Sequence, residues 1–196
     1  MRLTALTFAM MTCAAAAQTQ SGQDCGPRNL AACENSNQLF WGPERHGRAA
    51  PRHEFADALN RFLRDAPALY SGPYRFSPAS VAHDALMGPG ETVHLADGGW
   101  FFTGFTPHDA PDQGAVLFDA HGAILAVALL NTMTDAAATG GAAPGPYRLR
   151  IYSHDALRQD QRKRFEDWSR RAIDPAGRLG GTGLIRSTPK GWTRLP

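Results

Sequence analysis

Apolar residues follow a strand-like pattern through the second half of the chain, from residue 92 to residue 152. Short alternating or wholly apolar runs, separated by turn sequences such as Asp97-Gly98-Gly99, predict consecutive strands joined into an antiparallel meander. The run 124–130 is apolar at every position and is therefore expected inside the sheet. The predicted strands cover residues 92–95, 100–105, 114–118, 124–130 and 147–151, with Arg148 and Arg150 on the solvated side of the last one.

Helical periodicity appears in three other segments. Residues 53–65 place apolar side chains on one face and are followed by Pro67, and a shorter helix fits residues 78–86. These elements predict an α+β domain in which the helices pack on one face of an antiparallel β-sheet. A third helix fits residues 155–173, with a buried stripe formed by Leu157, Gln161, Phe165, Trp168 and Ala172.

The two ends of the chain differ from this domain. Residues 1–17 carry a positive charge at Arg2 and none after it, and they end in four alanines, which is typical of a cleaved secretory signal peptide. Cys13 leaves lipid attachment open as an alternative, although the residues before it fit that reaction poorly. We therefore expect an exported protein with an N-terminal arm over 18–52, the α+β domain over 53–175 and a C-terminal tail over 176–196.

Two cysteines, Cys25 and Cys33, remain after the signal peptide. In an exported protein such a pair predicts one disulfide bond, which here would hold the arm locally. Neither cysteine has a second Cys or His at metal-ligand spacing, so no metal site is expected.

Charge argues against nucleic acid as a partner. The formal net charge is +2, and the arginines between residues 158 and 171 are interleaved with acidic residues, as on a solvated helix face. Binding to phosphates needs a clustered basic surface, which this pattern does not predict. No segment after the signal peptide has the length and hydrophobicity of a membrane span.

Sequence signatures of enzymes are also missing. There is no Gly-x-Ser-x-Gly motif, and the glycine-rich run 177–183 lacks the Lys-Ser/Thr of a phosphate loop. The seven histidines are scattered, with no pair at helical spacing beside an acidic residue. We expect no catalytic residues and no cofactor.

The most distinctive local sequence is the loop between the strands 100–105 and 114–118. It presents an imidazole, His108, and a carboxylate, Asp109, between two prolines. One interpretation is turn chemistry alone, because Pro and Asp both favour turns. The other is that the tip of a hairpin enters the cleft of another molecule. The loop consists of Phe105, Thr106, Pro107, His108, Asp109, Ala110 and Pro111.

This loop and its setting resemble the inhibitor of vertebrate lysozyme family, periplasmic proteins of Gram-negative bacteria. That family has a protruding Cys-Lys-Pro-His-Asp-Cys loop between two antiparallel strands, preceded by a helix, and the similarity covers about residues 51–155 here. The resemblance implies that the loop enters the active-site cleft of a lysozyme, where His108 hydrogen-bonds the two catalytic carboxyl groups. One of those groups is protonated and the other ionised, so an imidazole can accept from one and donate to the other.

The chain departs from the family pattern at both loop cysteines, which are Phe105 and Ala110 here, and at the lysine, which is Thr106.

We expect a lysozyme inhibitor whose partner is a lysozyme or a related peptidoglycan hydrolase. The alternative is an immunity or regulatory protein against a bacterial wall-degrading enzyme, such as a lytic transglycosylase or an amidase. A third hypothesis, an enzyme with His108 and Asp109 as a dyad, lacks a third converging group. A homodimer is compatible with the sequence.

Overall fold

The computed structural model describes residues 25–45, 48–107, 109–138, 146–173 and 192–194. Its helices are α1 (Asn37–Phe40), α2 (His53–Phe62), α3 (Pro78–Leu86) and α4 (Gln159–Ile173), and a 3-10 turn lies at Leu30–Ala32. Two small antiparallel hairpins are formed by β1 (Trp41–Arg45) with β2 (Arg48–Pro51), and by β3 (Leu69–Ser71) with β4 (Tyr74–Phe76). The main sheet contains β5 (Gly88–His94), β6 (Trp100–Thr106), β7 (Asp109–Phe118), β8 (Ile124–Asn131), β9 (Arg148–Ser153) and β10 (Trp192–Arg194).

The main sheet has the spatial order β10-β9-β8-β7-β6-β5. Strands β5 to β9 follow one another in sequence and pair antiparallel, and two of their turns contain glycine with positive φ, Gly98 at 83° and Gly122 at 82°. The α+β class and the antiparallel meander are thereby confirmed, and β8 lies inside the sheet as expected. Strand β10 pairs parallel to β9, so part of the predicted tail belongs to the sheet.

Helices cover both faces of the sheet, which corrects the expectation that they share one face. On one side α2 and α3 pack in a cluster with Phe102, and on the other side Phe165 of α4 packs edge-on against Phe101, with ring centroids 5.2 Å apart. The reason lies in the central strands, where successive residues such as Phe101 and Phe102 are both apolar and point to opposite faces. A sheet that is apolar on both sides needs two covering layers.

Helix α3, whose predicted bounds are confirmed, lies directly on the sheet because two glycines face it. Gly104 of β6 and Gly114 of β7 are opposite each other. A methyl group at Gly104 would lie 2.7 Å from the α-carbon of Leu86, and one at Gly114 would lie 3.1 Å from the β-carbon of Ala85. Any side chain at either position would push the helix away from the strands.

Helix α4 begins at Gln159, later than the predicted start at residue 155. The side chain of Gln161 accepts a hydrogen bond from the backbone N–H of Arg158 (3.0 Å), which is one half of a capping box and marks the helix start. The predicted stripe is confirmed, since Leu157, Gln161, Phe165 and Trp168 are buried and Ala172 packs against the same cluster.

The N-terminal arm contains regular structure that the sequence did not predict, namely α1 and the β1–β2 hairpin. Leu39 and Phe40 of α1 are buried in the core, and Phe40 packs edge-on against Phe55 of α2, with centroids 4.8 Å apart. The predicted disulfide bond joins Cys25 and Cys33, and both residues are buried.

Arg150 of β9 is buried, which corrects the expectation that it faces solvent. Its guanidinium donates hydrogen bonds to Asp135 Oδ1 (3.0 Å), Asn131 Oδ1 (3.2 Å) and the carbonyl oxygen of Met133 (2.6 Å). These acceptors lie at and just beyond the end of β8. A segment that is distant in sequence therefore provides the partners that a buried charge requires.

Candidate functional site at the β6–β7 hairpin

The loop singled out in the sequence lies at the end of the hairpin formed by β6 and β7. Thr106 pairs with Asp109, so Pro107 and His108 connect the two strands. Phe105 and Pro107 are exposed, and Thr106 is half-buried. The orientation proposed for the imidazole stays a prediction. The parts of the loop that lie outside the described residues are His108 and the side chains of Asp109, Ala110 and Pro111.

The tip of the hairpin extends past both neighbouring strands. Gly88, the first residue of β5, is opposite Phe105, and Leu130 of β8 is opposite Gln113. These are the last pairs with either neighbour among the described residues, so the ribbon continues beyond them over residues 106–112. The register between β6 and β7 also shifts between Phe105 and Thr106, so that β7 has three more residues than β6 in this segment, 110–112. Beyond the last pairs with β5 and β8 the hairpin is therefore a bulged two-stranded ribbon.

Phe105 braces the base of this projection against β5. A methyl group built on Gly88 would lie 2.8 Å from two carbon atoms of the Phe105 ring, so the ring covers the α-carbon of that glycine. The residue nevertheless keeps 36% of its surface exposed. Phe105 therefore has one side packed on the sheet and another side open beside the tip.

Gln113, the partner of Phe105 across the hairpin, holds the other strand of the base. Its Nε2 donates a hydrogen bond to the carbonyl oxygen of Ala172, near the C-terminal end of α4 (3.3 Å). The hairpin is thus held on both strands, through β5 at Phe105 and through α4 at Gln113. One of these bracing residues, Phe105, stands where the resembled family has a loop cysteine.

Sequence reasoning missed both contacts that hold the base of the hairpin, Phe105 on Gly88 and Gln113 on Ala172. The prediction started β5 at residue 92, because Gly88-Pro89-Gly90 contains residue types that are depleted in strands. The strand starts at Gly88 and has an irregularity between Pro89 and Thr92. Proline is tolerated there because β5 is at the edge of the sheet. The Gly88-Pro89 sequence, which is compatible with an edge strand, is the signal that could have pointed to the contact between Gly88 and Phe105.

Two groups with clearly shifted pKa values, Asp97 and Tyr152, belong to other parts of the fold. A hydrogen bond from Arg158 Nη2 (2.5 Å) lowers the pKa of Asp97, in the turn between β5 and β6 at the opposite end of the sheet. Burial raises the pKa of Tyr152 to about 12. Both shifts follow from packing and pairing within the fold. In the described ranges, no group of three or more His, Cys, Asp and Glu residues is placed to hold a metal ion.

Cavities on the described surface include two away from the hairpin. One, of about 510 Å³, lies between the disulfide loop and the start of α2, with Arg28, Arg52 and His53 among its lining residues. Another, of about 360 Å³, lies where the end of α2, strand β4 and the start of α3 meet. Neither is lined by the hairpin residues 105–113.

No model of a known protein family matches the chain, and no curated protein or solved structure matches it either. The resemblance of the 105–111 loop to the lysozyme inhibitors therefore rests on the loop sequence and its strand setting. Within the part of the chain that the structure describes, no helix is both long and apolar enough to cross a membrane.

Proposed function

We propose that this protein inhibits a lysozyme-type glycosidase by inserting the β6–β7 tip into the active-site cleft. The observation that carries the proposal is the place of the Pro107-His108-Asp109 sequence, which falls at the end of a ribbon that extends past both neighbouring strands. Two strands lie only about 5 Å apart, so such a ribbon is narrow enough for a groove that accommodates a sugar chain.

In this proposal His108 supplies the polar contacts. A lysozyme-type enzyme holds one carboxyl group protonated in an apolar pocket and keeps a second one ionised. A neutral imidazole has one N–H donor and one acceptor nitrogen, so a single ring can satisfy both carboxyl groups. Asp109 would orient that ring or accept a hydrogen bond from the backbone of the cleft. The enzyme would then have neither a free acid nor a free carboxylate for a substrate.

The contacts at the base of the tip lower the entropic cost of binding. A loop that is already held in one conformation loses less conformational entropy when it binds. Phe105 on Gly88 and Gln113 on Ala172 hold the base, and the ring of Pro107 restricts its own φ. These contacts would take the place of the loop disulfide of the resembled family.

We also propose that the protein is exported to the periplasm, where such an inhibitor meets wall-degrading enzymes. The disulfide bond between Cys25 and Cys33 supports export, because disulfides persist in oxidising compartments. The predicted signal peptide, residues 1–17, lies outside the described residues. Mass spectrometry of the periplasmic protein should show a chain that starts at Gln18. A chain that retains residues 1–17 would contradict cleavage.

A wall-lysis assay tests the inhibitor proposal. The clearing of a cell-wall suspension by hen-type, goose-type and bacterial enzymes is followed with wild type, His108→Ala or His121→Ala present. His121 is the matched control, because it is an exposed histidine in the turn at the other end of β7. We expect inhibition by the wild type and the control. His108→Ala should weaken it by about 1–3 kcal/mol, roughly 5- to 150-fold.

The same assay separates the alternatives. Inhibition restricted to a bacterial transglycosylase or amidase would favour the immunity or regulatory function, in keeping with the replaced cysteines at Phe105 and Ala110. Unchanged inhibition by His108→Ala would remove His108 from the mechanism. Failure to inhibit any enzyme would overturn the proposal, and wall hydrolysis by the protein alone that depends on His108 would indicate an enzyme instead.

A further inference from the structure

The cavity of about 360 Å³ is built from three elements that do not include the hairpin tip. Its lining comes from the last turn of α2 and the residues after it, from β4, and from the start of α3. Its volume is at the lower end of the range for small-molecule sites, roughly 300–1,000 Å³. The side chains that matter for its chemistry are Asn60, Leu63, Arg64, Arg75 and Phe76.

The cavity carries unbalanced positive charge. Arg64 and Arg75 both line it, and none of its ten described lining residues is acidic. Neither guanidinium has an ion pair or hydrogen bond with any residue in the described ranges. Arg150, Arg158 and Arg171, in other parts of the fold, differ in that they pair with carboxylates. Two guanidinium groups at one cavity, with no partner among the described residues, favour a ligand that carries a carboxylate or another planar anion.

The cavity also has an aromatic side. Phe76 lines it and is 38% exposed. Its exposed ring gives a flat apolar surface, against which the apolar face of a sugar ring can pack.

The hairpin that carries Phe76 is held in place by its turn and by backbone hydrogen bonds. The β3–β4 hairpin turns through Gly72, with φ of 60°, and Pro73, which matches a two-residue turn with glycine first. Its backbone is joined to the segment after β8 by two hydrogen bonds between Tyr70 and Thr134, each 2.9 Å. A ligand would therefore meet a surface that is ordered before binding.

We propose that this cavity binds a sugar that carries a carboxylate. Arg64 and Arg75 would bind the carboxylate, Phe76 would pack on the sugar ring, and Asn60 would hydrogen-bond a hydroxyl or amide group. A bare anion would use the arginines without the aromatic ring, and a neutral sugar would use the aromatic ring without the arginines. The proposal uses none of the hairpin residues and stands separately from lysozyme inhibition.

Two sugars that differ only in the acidic group provide the test. The full mature protein is titrated with N-acetylmuramic acid and with N-acetylglucosamine, which has the same ring without the lactyl carboxylate, and binding is followed by NMR chemical shifts. We expect N-acetylmuramic acid to shift resonances around Arg64, Arg75 and Phe76 and to bind at least about tenfold more tightly than N-acetylglucosamine. Inorganic phosphate is titrated as the bare anion and should bind more weakly.

Variants assign the binding to this cavity. The double variant Arg64→Gln/Arg75→Gln should lose N-acetylmuramic acid binding by about tenfold or more, and Phe76→Ser should weaken it. Arg61→Gln is the matched control, because Arg61 is an exposed arginine of α2 that does not line the cavity. Melting curves establish that each variant is folded. Equal binding of the two sugars, phosphate binding as tight as that of the acidic sugar, an equal loss in Arg61→Gln, or no binding at all would overturn the proposal.

Discussion

The ring of Phe105 rests on the α-carbon of Gly88, where β6 and β5 form their last pair before the hairpin tip. A methyl group at position 88 would lie 2.8 Å from Cδ2 and Cε2 of that ring and 2.5 Å from the carbonyl oxygen of Phe105. Position 88 therefore accepts no side chain while Phe105 keeps its place. The contact joins the edge strand to the base of the candidate site.

Gly88→Ala should lower the free energy of unfolding by about 1–3 kcal/mol, because it overpacks this contact. Urea denaturation measures the change. The double variant Gly88→Ala/Phe105→Ala is the control, since it removes the ring that the new methyl group would meet. We expect its loss to be smaller than the sum of the two single losses. Strict additivity would show that the ring does not rest on position 88.

Arg150 and Arg148 provide a matched pair on one strand. The Arg150 side chain is 8% exposed and lies 2.9 Å from Asp135, whereas the Arg148 side chain is 41% exposed and lies 3.8 Å from the same carboxylate. Arg150→Met should cost about 1–3 kcal/mol, because Asn131 and the Met133 carbonyl lose a donor. Arg148→Met should cost less than about 1 kcal/mol, as exposed pairs do. Similar losses in chemical denaturation would contradict this difference in burial.

Removal of the disulfide bond should destabilise the arm. Cys25 and Cys33 are eight positions apart, and opening a loop of that size costs about 2–3 kcal/mol in the chain-entropy model. The variant Cys25→Ser/Cys33→Ser should show this loss in urea denaturation, and wild type in reductant should match it. The variant itself should not respond to reductant. A response as large as that of wild type would mean that the reductant acts elsewhere.

The Asp97–Arg158 pair predicts a loss of stability in acid. The pKa of Asp97 is lowered from 3.8, chiefly by the hydrogen bond from Arg158 and then by that from the Gly99 amide. Its stabilisation is therefore complete above the unfolded value and is lost as the pH falls through the lower folded value. Asp97→Asn should be less stable than wild type at about pH 6, and the difference should shrink below about pH 3. A constant difference across a pH series of thermal melts would contradict the assignment.

Local periodicity was sufficient to predict much of the fold. The meander follows from alternation in the strands, and the stripe of α4 follows from helical spacing around Phe165. The Cys25–Cys33 pair follows from the cysteine count and the expected export. In the candidate site, the hairpin and the position of its tip sequence were also predictable, because they depend on neighbours in the chain.

Features that depend on distant segments were not predictable in this way. Whether one or two layers of helix cover the sheet, and whether Arg150 is buried, is decided by residues far away in sequence. How far the tip extends depends on where β5 and β8 stop pairing with the hairpin. The contact that holds its base depends on Gly88, which lies in a sequence typical of a loop. Sequence periodicity reports which face of an element is apolar. Only the packed chain determines which element covers that face, and how closely.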